Sequence, residues 1–374
     1  MPDAAHGAPR GAELDVIDVA LRLLRAESTS GAEAPAVDAM TALLGERGWR
    51  VTRIPVTNGR DDLFTEAEGR PAEVVLSTHL DTVPPYIAPR LDGGRLWGRG
   101  ACDAKGIAAA MVCAAERLRD AGVPVGLLFV VGEETAHDGA HAADAAHAHV
   151  APRARVLVNG EPTESTLATG TKGALRFVLR TVGRAAHSAY PHLGNSATHR
   201  LARLLVELEA LRLPHDPVLG ATTVNVGGLA GGVADNVVAP WAEARCMARL
   251  VTDADEVRAA LDAWVAPHVD AGHVELTYGS MVPPVRLRTV PGFHTDVVAF
   301  ATDIPAMPSW GTPYLFGPGS IHVAHTDGEY IDVAELRAAV AAYVRIAEAA
   351  LEDGSGEEGG GGRGAGNGRS FRRD

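Results

Sequence analysis

Apolar residues recur at two different intervals along this chain. Leu14, Ile17, Leu21 and Leu24 stand three and four residues apart, and Ala36 to Arg47 keeps a helical pattern up to Gly48, so two helices open the fold. Beyond them the pattern becomes short runs that are apolar almost throughout: Glu73 to Thr78, Gly126 to Val131 and Arg155 to Val158, with a helix from Ile107 to Ala121 among them. Strands with no polar face belong in an α/β sheet covered by helices on both sides. From Thr171 a second pattern takes over: strand Ala174 to Val182, helix Ser196 to Leu211, strands Thr222 to Gly228 and Ala242 to Val251, helix Asp253 to Val265, strand His273 to Tyr278. This β-α-β-β-α-β order is the split βαβ sandwich. The segments after it, Val297 to Ala301, the turn-rich Pro308 to Ser320 and a helix from Val333 to Leu351, return to the first pattern. The reading is a discontinuous α/β domain, residues 1–168 and 281–352, interrupted by a smaller domain over 169–280, with a glycine-rich tail over 353–374.

Composition narrows the function. The formal charge of −13 argues against nucleic acid and anionic membrane as partners. The longest apolar stretch, Val123 to Val131, is far short of the roughly 20 residues that cross a bilayer, and the first residues lack an apolar export core, so the expected location is the cytoplasm. Cys102, Cys113 and Cys246 are too few and too scattered for a disulfide framework or a thiolate zinc site.

Three of the apolar strands end in polar residues that packing does not explain. VVLSTHLDTVPP carries His79 and Asp81, GLLFVVGEET carries Glu133 and Glu134, and RVLVNGEPT carries Glu161, while Asp103 in GRGACDAKG sits just before a helix. Ligands of open α/β sheets bind at the carboxyl ends of strands, so these segments converge on one crevice. One histidine with several carboxylates and no thiolate suits zinc, cobalt or manganese, hence a hydrolytic metal. The His-x-Asp spacing places Asp81 on the same face as His79, where it can orient the imidazole. Of the adjacent Glu133 and Glu134, one can hold metal while the other takes a proton from the attacking water. His137, His141, His147 and His149 also cluster, but on an Ala-rich polar stretch that reads as a solvated face. GRGACDAKG is not a phosphate loop, since its lysine is not followed by Ser or Thr.

Taken in order, HLDTVP, GRGACDAKG, GEE, GEPT, HSAYP, NVV and AHTDGEY resemble the di-zinc family of aminoacylases, acetylornithine deacetylases, succinyl-diaminopimelate desuccinylases and carboxypeptidase G-like peptidases, over roughly residues 10–350. The resemblance implies a zinc-hydrolase domain with a mixed sheet flanked by helices, and an inserted ferredoxin-like domain serving as lid and dimerisation surface of a homodimer. It implies two divalent metals, zinc first and cobalt or manganese as alternatives, bridged by Asp103, one held also by His79 and Glu161 and the other by Glu134 and His325, which is chosen over His322. Glu133 becomes the general base, Asp81 the residue that orients His79, and the Asp103–Ala104 peptide bond is expected to be cis. His187 in HSAYP is assigned to the oxyanion across the dimer interface, with Asn236 beside it; the nearby His192 and His199 are not. Arg249 is the candidate for the substrate carboxylate, in an open register against Arg245. Gly319 is expected to let backbone approach that carboxylate, and Asp303 to meet a side-chain amine of the substrate.

The activity implied is hydrolysis of an N-acyl amino acid, most like N-acetylornithine deacetylation in arginine biosynthesis, since GEPT resembles the deacetylase and desuccinylase branches. Related alternatives are succinyl-diaminopimelate or other lysine-pathway cleavage, N-acetylcitrulline hydrolysis and dipeptide cleavage. A catalytically silent metal-binding scaffold is the alternative outside enzymes.

Overall fold

The structure, a computed structural model, describes residues 13–269 and 271–355. Six strands form the main sheet in the order 50–55, 61–66, 125–130, 74–79, 156–159, 312–315. The last four in that order run parallel, while the 50–55 and 61–66 strands pair antiparallel at one edge, so the sheet is mixed. Val74–His79, Val125–Val130 and Val156–Asn159 are buried along their whole length. Alternate side chains feed two cores. Val74, Leu76, Leu127 and Phe129 face helices Val16–Leu24, Ala34–Glu46, Lys105–Asp120 and the helix starting at Val333, while Val75, Leu128, Val130 and Leu157 pack with helix Asp138–Val150 and Trp310.

Two of the three sequence features that hid parts of this sheet are polar. RVTRIP and DDLFTE carry too many charges to read as strands, yet they pair with each other; the edge position of the first tolerates its arginines, and in the second Asp62 and Glu66 are buried but accept the N–H groups of Val131 and Ala72. Strand Thr312–Leu315 lay inside the turn-rich segment, and the expected strand at Val297 to Ala301 begins earlier, at Thr295, and ends at Val298. The closing helix continues to Ser355, past the start of the expected tail; the rest of that tail, 356–374, lies outside the described residues.

The inserted unit has the expected order: strand Gly173–Val182, helix Ala197–Ala210, strands Thr223–Gly231 and Trp241–Leu250, helix Ala254–Val269 and strand Val274–Val282. Its four strands are antiparallel throughout. In WAEARCMARL the residues Ala242, Ala244, Cys246, Ala248 and Leu250 are buried among the helices' Leu201, Leu204, Val257 and Leu261. The alternation leaves Arg245, Met247 and Arg249 on the opposite face.

Candidate metal centre and active site

The strands ending at His79 and Val130 and the one ending at Asn159 are neighbours in the sheet, so His79, Glu133, Glu134 and Glu161 emerge side by side. Gly160 makes room for this. A Cβ there would stand 2.5 Å from both Ile107 and Met111, so only glycine lets helix Lys105–Asp120 come close enough to set Asp103 above the strand ends. The Asp103–Ala104 peptide bond is cis.

Three groups of ligand atoms come together, two of which share Asp103 while the third is Glu133, His137 and Asp303. In the first, His79 Nε2 lies 2.9 Å from Asp103 Oδ1 and 3.9 Å from Glu161 Oε2. In the second, His325 Nε2 lies 3.2 Å from Asp103 Oδ2 and 2.8 Å from Glu134 Oε1. His322 is in none of the three. Four acids, Asp103, Glu133, Glu134 and Glu161, crowd a largely buried space against two imidazoles. Burial, reinforced by the neighbouring carboxylates, pushes Glu133 and Glu161 well above the ordinary carboxylate range. Burial opposes protonation of His79, but its bonds to Asp103 and Asp81 outweigh that and raise it; Asp103 and Glu134 push His325 up to about 10. Glu161 Oε1 is buried with no hydrogen-bond partner among the described residues. An excess of negative charge, an orphaned carboxylate oxygen and oxygen and imidazole donors in two groups fit a pair of divalent cations.

Asp81 does more than its spacing suggested. The acceptor nearest His79 Nδ1 is the Asp81 backbone carbonyl at 2.9 Å, with the carboxylate at 3.4 Å. That carboxylate instead accepts the N–H groups of Glu133 (3.1 Å) and Glu134 (3.2 Å) and the Ser30 hydroxyl, fixing the turn that presents both glutamates. Glu329, in the AHTDGEY segment, was not foreseen. Fully buried and paired with Arg99 at 2.7 Å, it accepts N–H bonds from Gly100, Cys102 and Asp103 on a single oxygen.

The groups open on a cavity of about 340 Å³, whose far wall is the inserted sheet, with Arg176, Met247, Arg249 and Met281. Arg249 lines it and Arg245 does not. His187 and Asn236 are exposed and lie together, through the His187–Val237 bridge and the Ser188 N–H bond to the Asn236 carbonyl, but neither lines this cavity.

Gly319, Asp303 and the histidine cluster have partners or surroundings that the sequence did not show. Gly319 has no free N–H for a substrate carboxylate: Glu335 accepts it at 2.8 Å, and the positive φ and close approach to Cys102 account for the glycine. Asp303 is 1% exposed and its Oδ1 is 2.8 Å from His137 Nδ1, so a histidine of the chain itself occupies it. His137 is half-buried and lines the cavity, and His147 packs edge-on against Trp310, whereas His141, which also lines the cavity, and His149 are exposed as expected. Burial opposes protonation of His137, but the Asp303 bond outweighs it and raises the imidazole.

A mixed α/β sheet that brings two carboxylate-sharing ligand groups and a separate glutamate to its strand ends defines a metal-dependent amide hydrolase. The model of peptidase family M20/M25/M40 matches residues 75–349, and the chain belongs to that family. A probable carboxypeptidase of Aspergillus terreus is 38% identical over 88% of this chain and 85% of its own length. Among solved structures, a tripeptidase of Staphylococcus aureus superposes with a TM-score of 0.75 at 19% identity, covering 90% of this chain and 98% of that one. The YXEP protein of Bacillus subtilis, described as a dinuclear metal binding peptidase, gives a TM-score of 0.67 at 16% identity over 90% and 98% of the two chains. Among the described residues no helix is long and apolar enough to cross a membrane.

Proposed function

We propose that this enzyme hydrolyses the amide bond between an acyl group and an amino acid with a free α-carboxylate: an N-acyl amino acid or the C-terminal residue of a short peptide. The observation that carries this reading is the placement of Arg249 on the cavity wall facing Glu133 and the two ligand groups. A guanidinium is a planar fork suited to a carboxylate, and here it stands across the cavity from the acids. His79, Asp103 and Glu161 would hold one divalent ion and Asp103, Glu134 and His325 the other, zinc in the first place and cobalt or manganese as substitutes. Bound there, such ions supply Lewis-acid polarisation of the amide carbonyl and activation of water. Glu133 accepts the proton of the attacking water at its carboxylate and returns it to the leaving nitrogen. His187 and Asn236, outside the cavity of their own chain, serve that of a second copy in a homodimer, donating to the developing oxyanion.

The nature of the amino acid follows from the lining. Every acid on the cavity wall belongs to a ligand group or is Glu133, and Asp303 is bound to His137. Met247, Met281, Val282 and Phe300 offer apolar surface instead. This favours an apolar residue over ornithine, and N-acetylornithine and arginine biosynthesis become the second reading. The three unpaired cysteines agree with a cytoplasmic site of action. We read residues 1–168 and 281–352 as the catalytic unit and 169–280 as lid and dimerisation unit.

The test is amine release from N-acetylmethionine, N-acetylornithine, N-succinyl-diaminopimelate and short peptides ending in leucine, with zinc or cobalt and with chelator. Metal-dependent turnover best on the apolar substrates supports the reading; preference for N-acetylornithine restores the deacetylase, and binding of metal with no turnover on any of them overturns it.

A further inference from the structure

His137 stands in the left-handed region, with φ 54°, at the residue that joins the Glu133–Glu134 turn to helix Asp138–Val150. A side chain there costs about 1 kcal/mol or more that glycine would not, so the ring is kept at a strained position. Its Nδ1 is taken by Asp303, whose carboxylate is buried and comes from a separate loop. That bond fixes the ring and leaves Nε2 with no protein partner among the described residues, on a ring that lines the cavity. The geometry continues along the helix. His141 follows one turn later and lines the same wall. Nδ1 is also 4.0 Å from Glu133 Oε1, so the imidazole is set next to the reacting bond rather than at a distant rim.

The positive wall of the inserted sheet, with Arg249 and Arg176, already answers an α-carboxylate. The histidines stand on the other unit, on the helix that follows the two glutamates, and the substrate portion left for them is the acyl group. Paired with the buried Asp303 carboxylate, which favours its protonated form, the imidazole gives Nδ1–H to Asp303 and keeps Nε2–H for an acceptor oxygen of the substrate, with nothing to offer a methyl group.

We propose that His137, fixed by Asp303 and joined by His141, forms a subsite for the acyl side of the substrate that selects acyl groups carrying a further acceptor oxygen. The oxygen can come from a second carboxylate or from a peptide carbonyl. The subsite rests on the hydrolase reading above and adds to it what lies beyond the scissile bond.

Four leucine derivatives test this: N-succinyl, its isostere N-4-methylpentanoyl, N-acetylglycyl and N-butanoyl, the first pair probing a carboxylate and the second a peptide carbonyl. In the wild type, kcat/KM for the acceptor-bearing member exceeds that of its alkyl partner by about tenfold or more in at least one pair, and the pair that discriminates identifies the source of the oxygen. His137→Gly removes the ring while relieving the φ strain, and the ratio falls towards one; Asp303→Asn, which takes away the negative charge that favours the protonated ring, lowers it partway. A wild type without preference in either pair, or a ratio unchanged in His137→Gly, overturns the subsite. If none of the four is turned over, the hydrolase reading has failed, and calorimetric titration of N-succinyl-leucine into the metal-loaded wild type and His137→Gly proteins decides the subsite separately. About tenfold weaker binding by the variant supports it, and equal or absent binding overturns it.

Discussion

Glu329 Oε1 accepts the backbone N–H of Asp103 at 3.1 Å, so the carboxylate common to both ligand groups is held by an acid that faces neither. The same oxygen takes the N–H groups of Gly100 and Cys102, and the other oxygen meets Arg99. Glu329→Gln leaves Arg99 buried against a neutral amide and replaces one acceptor by a donor. The expected loss is about 3 kcal/mol of stability, with metal affinity weakened about 10- to 100-fold. Thermal unfolding and zinc titration measure both; an unchanged melting temperature and affinity would refute the clamp.

Glu133 and His187 are proposed to act in different copies of the chain on one cavity. Glu133→Gln lowers kcat by about 100-fold or more with metal content retained. Mixing it with His187→Ala after dissociation and reassociation restores part of the activity, because one cavity of each mixed dimer is then complete. No recovery on mixing would exclude action across an interface.

Arg249→Ala raises KM about 100-fold for a substrate with a free α-carboxylate and changes little for the same substrate blocked as an amide. Arg245, exposed and outside the cavity, is the control: Arg245→Ala leaves both unchanged. Steady-state kinetics on the two substrates separate the arginines, and equal effects from both variants would sink the assignment.

His147 lies edge-on to Trp310, and burial holds its imidazole below the usual 6.5. A histidine depressed in the folded state favours folding while neutral. The unfolded chain therefore takes up its proton first as pH falls below about 6.5, and stability declines from there down. His147→Phe flattens the fall in melting temperature between about pH 7 and pH 5. A slope identical to that of the wild type would show that other groups carry the acid sensitivity.

The parts of this fold legible in the sequence are those where burial leaves one choice. Val74–His79 and Val125–Val130 have no polar face, and acids directly after such strands have nowhere to go except the crevice. Asp61–Glu66 escaped notice because the N–H groups that let Asp62 and Glu66 be buried, those of Val131 and Ala72, lie outside the strand. The His137–Asp303 pair was illegible for another reason. Its members are 166 residues apart, and a histidine at the head of an Ala-rich helix carries no mark of the distant loop that holds it. Glu329 stood inside a segment already singled out, but three of its partners are backbone N–H groups, which leave no trace in side-chain composition, and the fourth, Arg99, is 230 residues away.

The cavity's two walls stand on different parts of the chain, the acids on the strand ends of the main sheet and the arginines on strands Gly173–Val182 and Trp241–Leu250. On the proposed roles, the α-carboxylate is thereby read from a stretch of sequence separate from the acids that break the bond, while the acyl side is read by histidines next to those acids. Substitutions on the outward positions of the inserted sheet can retune the diet of the enzyme while its chemistry is inherited intact, and a library confined to those positions is the economical way to redirect it.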